Sequence, residues 1–524
     1  MVLSMRSNII TLSFVLICLL LLSCQVQEKA HLGEIELEVT GQKQAIPHFE
    51  EGLLLLHSFE YDDAREAFEK AMAADPDMVM AYWGIAMSHN HGLWRQQAFD
   101  KATAVLQQLG ENQAERLAKA KTDLEKDFLM AAEVMYGDGT KQERDQAYSK
   151  HMAMMVEKYP GQHEVAAFYA LSLLGAVPVG RDEEMYEKGA RIAKGILEEN
   201  PQHPGALHYL IHSYDDPSHA HLALKAANNY SKVAPDAAHA LHMPSHIYVA
   251  MGMWVEVISS NISSYQASVT RKDKKSLDGD ARSYHALAWL LYGYLQQENW
   301  EEADKIMADM EAYTAELPSK RAKAYMVEMK ANYLVETNRW DSPIADIEVE
   351  TDNLNLTNQA GYEFIEGVKA YMKKDTAALR QVILGIAQLR QDNGLLINEE
   401  GAAVCSAAGI DQTAPNQLDL DLAQIMEMEL RAYYHWLEGD EEETEKWLIE
   451  ATNLQSKVSY SFGPPIIAKP SYELYGDWLV DQGRMKEAIV QYELALERGP
   501  NRTYPLRAKE KAAKDSGEEK LGLQ

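Results

Sequence analysis

Apolar residues recur along this chain at three- and four-residue spacing, and runs that alternate apolar with polar positions are scarce. That pattern predicts helices throughout and no strands. The helical stretches are punctuated by repeated stops: Asp75-Pro76, Tyr159-Pro160, Asn200-Pro201 and Ala234-Pro235. Proline lacks an amide proton and pushes the residue before it out of the helical region, so each stop ends a helix. Asn299-Trp300-Glu301-Glu302-Ala303 and Asp481-Gln482-Gly483 read as turns between antiparallel helices, and Glu363 to Asn393 and Leu418 to Gln455 as further helical pairs. Two segments break the rhythm. Thr270 to Asp280, with RKDKKSLDGD, is expected to be an exposed loop, and Ser459 to Ser471, SFGPPIIAKPS, is too rich in proline to be helical and must cross to the last pair. The acidic run Asp440 to Glu443 fits a solvated helix start.

The spacing inside the pairs is more specific. Between Ala45 and Met78, the residues Gly52, Ala64, Phe68, Ala71 and Pro76 fall where a tetratricopeptide repeat places its small residues, its gap-filling aromatic and its stop. Gly476, Ala488, Tyr492 and Pro500 repeat the same intervals near the other end. The chain therefore resembles the tetratricopeptide family, which implies an all-α, right-handed α-solenoid of helical hairpins. We expect an N-terminal solenoid over residues 45–317 and degenerate helical repeats over 318–524 that end in a well-formed repeat.

The first residues differ in kind. Arg6 is their only charge, Ile9 to Leu22 is almost wholly apolar, and Leu21-Leu22-Ser23-Cys24 follows. The run is too short to span a bilayer and reads as a secretory signal over residues 1–23. LLSC resembles the lipobox of bacterial lipoproteins, which implies lipid attachment at Cys24, a polar tether over 24–44, and a bacterial cell-envelope location at the outer membrane. Of three cysteines, Cys18 would leave with the signal, leaving Cys405 as a buried apolar residue with no disulfide partner. A net charge of -30 repels a phosphate backbone, so nucleic acid is not an expected partner, whereas cations and basic surfaces are.

Histidine supplies the candidate chemistry. Eight of the 17 histidines lie between His203 and His246, in HPGALHYLIHSYDD and APDAAHALHMPSHIY. Aligning Pro201 with Pro235 also aligns His208 with His242, His212 with His246 and Tyr214 with Tyr248, each pair 34 residues apart, one full repeat. Within each repeat the two histidines are four residues apart, on one helical face, which lets two imidazoles reach one metal ion. The intervening Tyr-Leu-Ile and Met-Pro-Ser carry no glutamate base, so this is not a zincin motif. The tetratricopeptide resemblance implies that His208, His212, His242 and His246, with His239, Asp215 and Asp216, face the concave groove. His285 opens the next repeat in the position of His239. Pro244 should kink the helix between His242 and His246. His89 and His91, with Trp94, read as a helix cap that could extend the groove, and His203, His219 and His221 as structural. Met243, Met251 and Met253 are expected to pack the core.

Taken whole, the chain resembles the secreted, histidine-rich tetratricopeptide repeat proteins of environmental bacteria. The resemblance rests on HFEEGLLLLHSFEYDDAREAF from His48, AYWGIAMSHNHGLW from Ala81, the two histidine segments, SFGPP and KPSYELYGDWL. It implies fold and location and supplies no catalytic residues. Two functions follow. In the first, the groove docks a protein, peptide or glycan near the membrane. In the second, His208, His212, His242 and His246 ligate a divalent transition metal, zinc, copper or iron, with Asp215, His239 and His285 supporting them or completing the groove. No phosphate loop, dinucleotide fingerprint or nucleophile elbow is present.

Overall fold

The computed structural model describes residues 30–397, 414–460 and 463–517. Cys24 and Cys405 lie outside them. Among the described residues the architecture is an all-α solenoid of tetratricopeptide-like antiparallel hairpins. Ile46–His57 pairs with Tyr61–Ala74, His163–Gly175 with Glu183–Glu199, Pro204–Ser213 with Leu224–Val233, and Tyr284–Gln296 with Trp300–Glu316. In the second half Leu356–Met372 pairs with Thr376–Gly394, Gln417–Glu438 with Glu441–Lys457, and Ser471–Asp481 with Met485–Arg498.

The signature residues explain the close packing. Phe68 is fully buried between two glycines, and a Cβ on Gly52 would lie 2.7 Å from its ring and one on Gly84 2.5 Å. Three helices close around one aromatic because two of them have no side chain there. Tyr492 occupies the same niche at Gly476, where a Cβ would lie 2.5 Å away. Helix starts are fixed by capping boxes, Thr122 with Glu125, Thr140 with Glu143 and Asn416 with Asp419.

Long-range contacts bend the array back on itself. His57 of the first hairpin bonds Tyr209 (2.8 Å) and Glu164 (2.5 Å), and Glu60 accepts from the His239 backbone N–H (2.8 Å). At the other end Trp254 Nε1 donates to the Asn501 carbonyl (2.8 Å), and Arg502, bonded to Glu473 (2.8 Å), reaches Tyr292. Residues separated by more than a hundred positions thus enclose one interior.

Three expectations change. The segment 32–44 is not a free tether: Leu32 is buried, the Glu34 amide donates to the Gln202 carbonyl (3.0 Å), and the Thr40 amide donates to Glu125 (2.6 Å). Main-chain amides along this extended strip thus donate to three separate parts of the array, the third being Gln42 to Asp75 (2.6 Å). The 270–280 segment is half helix, because Trp254–Lys275 runs on until Arg271 (2.8 Å) and Lys275 (2.8 Å) reach Asp63 of the first hairpin. A two-residue ladder, Asn90–His91 with Gln96–Gln97, closes the turn after Val79–Met87, too short for alternation to show in the sequence. The proline-rich crossing is irregular where described, and Ser459 and Gly463 come against Gly180 and Trp289.

Candidate metal centre

Three helical segments deliver the histidines. Pro204–Ser213 carries His208 and His212, the broken helix Ala238–His242 and Pro244–Ala250 carries His239, His242 and His246, and Tyr284–Gln296 carries His285. Pro244 divides the middle segment. The turn tightens so that the His246 amide donates to the Met243 carbonyl (3.1 Å), while the Ser245 hydroxyl donates to the His242 carbonyl (2.7 Å). The break aims the two rings at each other, and Nε2 of His242 lies 3.2 Å from Nε2 of His246.

The structure gathers every histidine of the predicted stripe, but in an enclosed interior rather than along an open groove. His208 is 0% exposed, His212 4%, His242 1%, His246 2% and Asp215 1%, with His239 and His285 half-buried. Return of the first hairpin covers what would otherwise be a concave face: Phe59 packs on His208 with ring centroids 4.2 Å apart. The ligating atoms of His208, His212 and His239 lie within 4.8 Å of one another, as do those of His242, His246 and His285, and those of His212, Asp215 and His246. Asp215 joins the groups, because its Oδ2 receives Nδ1–H of both His212 (3.1 Å) and His246 (3.2 Å). Its Oδ1 accepts from Arg181 (2.8 Å), which also reaches Asp216 (3.1 Å).

Hydrogen bonds settle the tautomers. Asn261 Nδ2 donates to the Val257 carbonyl (2.8 Å), so its Oδ1 is the acceptor that faces His242 Nδ1 (2.6 Å), and the proton sits on that nitrogen. His208 Nδ1 donates to the His57 carbonyl (2.7 Å), and His212 and His246 donate through Nδ1 to Asp215. In the neutral rings Nε2 is therefore the lone-pair nitrogen of all four. Buried Nε2 atoms of His208 and His239 have no hydrogen-bond partner among the described residues. Ring nitrogens oriented from behind by a carboxylate, an amide or a carbonyl are the usual support of metal-bound histidine.

Charge supports the same state. Burial lowers the pKa of His246 to about 4 against the opposing pull of Asp215, and burial with neighbouring rings lowers His285 to about 3. Burial also takes His208, His239 and His242 well below the usual imidazole value. Burial alone would raise the Asp215 carboxyl, but hydrogen bonds from His212 and His246 and the charge of Arg181 outweigh it and hold it ionised. Neutral His242 and His246 thus point two lone pairs at each other across 3.2 Å. A cation between them would turn that repulsion into two bonds. With bonds of roughly 2 Å, that separation gives an angle at the ion of about 100–110°, near tetrahedral.

Several participants escaped sequence reasoning. His57, Glu164 and His203 form a second buried cluster, in which Glu164 meets His57 at 2.5 Å and His203 at 3.2 Å. His203 also caps its helix, accepting from the Ala206 amide (3.1 Å). Nothing in the local sequence joins residues so far apart. Arg181 was findable, since it precedes Asp215 by the same 34-residue interval as the histidine pairs. Trp289 packs on His242 (4.8 Å), His246 (4.7 Å) and His285 (5.3 Å). Tyr214 and Tyr248 bond Glu187 (2.7 Å) and Asn228 (2.7 Å), not the histidines. His91 stacks on Tyr61 (3.9 Å), and Trp94 meets His239 edge-on (6.0 Å). His219 pairs with Asp216 (2.9 Å) at the surface, and Met243 is buried.

Fold and site together define an all-α helical-repeat protein with an enclosed, tautomer-ordered histidine cluster. No protein-family model matches the chain, and no curated protein does. Among solved structures the chain is similar to the Cut9–Hcn1 hetero-tetramer of the APC/C (12% identity, 89% of this chain, 76% of that one, TM-score 0.37). It is also similar to yeast Tom70 (11%, 91% and 90%, TM-score 0.33) and to Ypp1 (8%, 90% and 86%, TM-score 0.38). At these scores the hairpin architecture rests on the chain's own packing.

Proposed function

We propose that this chain is an exported helical-repeat binding protein, tethered to the bacterial envelope through Cys24, whose interior histidines take up a transition-metal ion. The observation that carries this reading is the 3.2 Å approach of His242 Nε2 to His246 Nε2, with both rings turned by hydrogen bonds at Nδ1. Imidazole ligation suits zinc, copper or iron and disfavours magnesium and calcium, which want oxygen. Elemental analysis of residues 25–524, purified without a histidine tag, tests it. The expected result is at least one ion per chain, reduced in a His208→Ala/His242→Ala variant. Substoichiometric metal in the wild type, reloaded from a metal buffer, would refute the reading. Tethering predicts that Cys24→Ala moves the protein from the membrane to the soluble fraction.

A docking role is favoured by a different observation. The histidine stripe is enclosed, but an open cleft of about 930 Å³ lies between the helices from Trp300–Glu316 to Leu356–Met372, lined by Glu311, Asp346, Glu348 and Glu350 against Lys323 and Tyr362. Its acidic lining suits a basic peptide or protein segment rather than an uncharged glycan. Anisotropy titration with a fluorescent lysine- and arginine-rich peptide should show binding that weakens with salt and with Glu348→Lys/Glu350→Lys. Equal binding by that variant would exclude the cleft.

A further inference from the structure

We infer that the interior holds two metal ions, one on His242, His246 and His285 and a second on His208, His212 and His239, with Asp215 positioning a ligand of each. The inference rests on the metal reading above and goes beyond it in number and arrangement.

The histidines are too many for one ion. Six imidazoles converge, yet their ligating atoms fall into two groups of three, each within 4.8 Å of one another. With bonds of roughly 2 Å, movements of at most about 0.8 Å per ligating atom would close either group around an ion. An ion on the first group leaves the second unexplained, because His208 and His239 keep buried Nε2 atoms with no hydrogen-bond partner among the described residues. Burying two such nitrogens is costly unless something binds them. His208 is also oriented for the task, since its Nδ1 is committed to the His57 carbonyl at 2.7 Å.

Asp215 links the groups. One oxygen, Oδ2, receives Nδ1–H from His212 of one triad and from His246 of the other, whose ring centroids lie 5.0 Å apart. A carboxylate behind a histidine makes its far nitrogen a better donor to metal, and here one carboxylate does so for both sites. Arg181 fixes Asp215 through the other oxygen, leaving Oδ2 to the histidines. The all-nitrogen ligand sets select an ion that favours imidazole, zinc or copper.

The triads carry separate optical reporters. Trp289 packs on His242, His246 and His285, and Trp94 lies edge-on to His239. The test titrates metal-stripped full-length mature chain with Zn(II) and with Cu(II), following stoichiometry by calorimetry and quenching by Cu(II) in Trp94→Phe and Trp289→Phe backgrounds. We expect two ions per chain. His285→Ala should weaken only the phase reported by Trp289, and His239→Ala only the phase reported by Trp94; these are the least buried members of their triads. Asp215→Asn should weaken both, by roughly 10- to 100-fold each. Circular dichroism selects variants that keep the wild-type helical signal. One ion per chain with both metals would overturn this inference and leave the metal reading standing, whereas no ion would overturn both. Two ions with an Asp215→Asn variant that weakens only one phase would overturn the shared role of Asp215.

Discussion

Asn261 is the most informative residue to change, because it is not itself a proposed ligand and bears on the site through its bond to His242 Nδ1. It is fully buried, and its side chain spans from the Val257 carbonyl to His242 Nδ1. Asn261→Leu keeps the volume close and removes the acceptor. The stranded Nδ1–H would then cost about 1–3 kcal/mol, for which the 3.3 Å contact to Ser245 Oγ is a poor substitute. Moving the proton to Nε2 relieves the strain, since it can then bond His246 Nε2 at 3.2 Å. That escape places a proton where the ion must bind. Metal affinity should fall by roughly 10- to 100-fold, or about 1.4–2.7 kcal/mol, while the metal-free protein loses less stability than a stranded donor would cause. Asn261→Asp keeps the acceptor for Nδ1–H and, protonated on its other oxygen, keeps the bond to the Val257 carbonyl, so it should lose less affinity than the leucine variant. The assay is competition for Zn(II) against a chelator of known affinity, with urea midpoints measured on the metal-free forms. Wild-type affinity in the leucine variant, or an equal loss in the aspartate variant, would refute the tautomer argument.

Other consequences are open to direct measurement. Phe68→Ala should cost about 3–5 kcal/mol, since the niche between Gly52 and Gly84 has no side chains with which to collapse; a urea midpoint within error of wild type would show the niche is not tight. Burial raises the Asp63 carboxyl, but bonds from Arg271 and Lys275 outweigh that and lower its pKa on folding. Its contribution, about 1 kcal/mol for a partly exposed pair, is therefore present above the unfolded carboxylate value near 4 and lost as pH falls through the folded one. The loss from Asp63→Asn should be full at pH 7 and should shrink as pH falls below about 4, and a loss that does not change with pH would contradict the pairing. Gly463→Ala would put a Cβ 2.5 Å from Trp289, at a φ of +112° that other residues rarely adopt. Trp289 emission and metal affinity at the adjoining triad should both change, and no change in either would separate the crossing segment from the site.

The repeat architecture was legible because its determinants are local. Gly52, Phe68 and Pro76 sit within one hairpin, and their spacing states which helices close on which ring. The histidine stripe was legible for a related reason, since a 34-residue period maps equivalent residues onto adjacent positions in space. Closure was not. It depends on His57 meeting Glu164 and Tyr209, Asp63 meeting Arg271, and Asn501 meeting Trp254, contacts set by the accumulated twist of many hairpins, which no single spacing encodes. The expected open groove is enclosed for that reason. The same closure turned the Thr270–Asp280 break partly into helix, because Arg271 and Lys275 acquired a carboxylate partner some two hundred residues away.

The proposed metal site puts an ion between His242 and His246. Crystals of the mature chain grown with Zn(II), with anomalous diffraction collected on both sides of the zinc edge, test it most directly. An edge-dependent peak is expected roughly 2 Å from both Nε2 atoms, with Asn261 and Asp215 still bonded to the opposite nitrogens. Zinc found only on surface carboxylates, with the two Nε2 atoms facing each other and no peak between them, would contradict it.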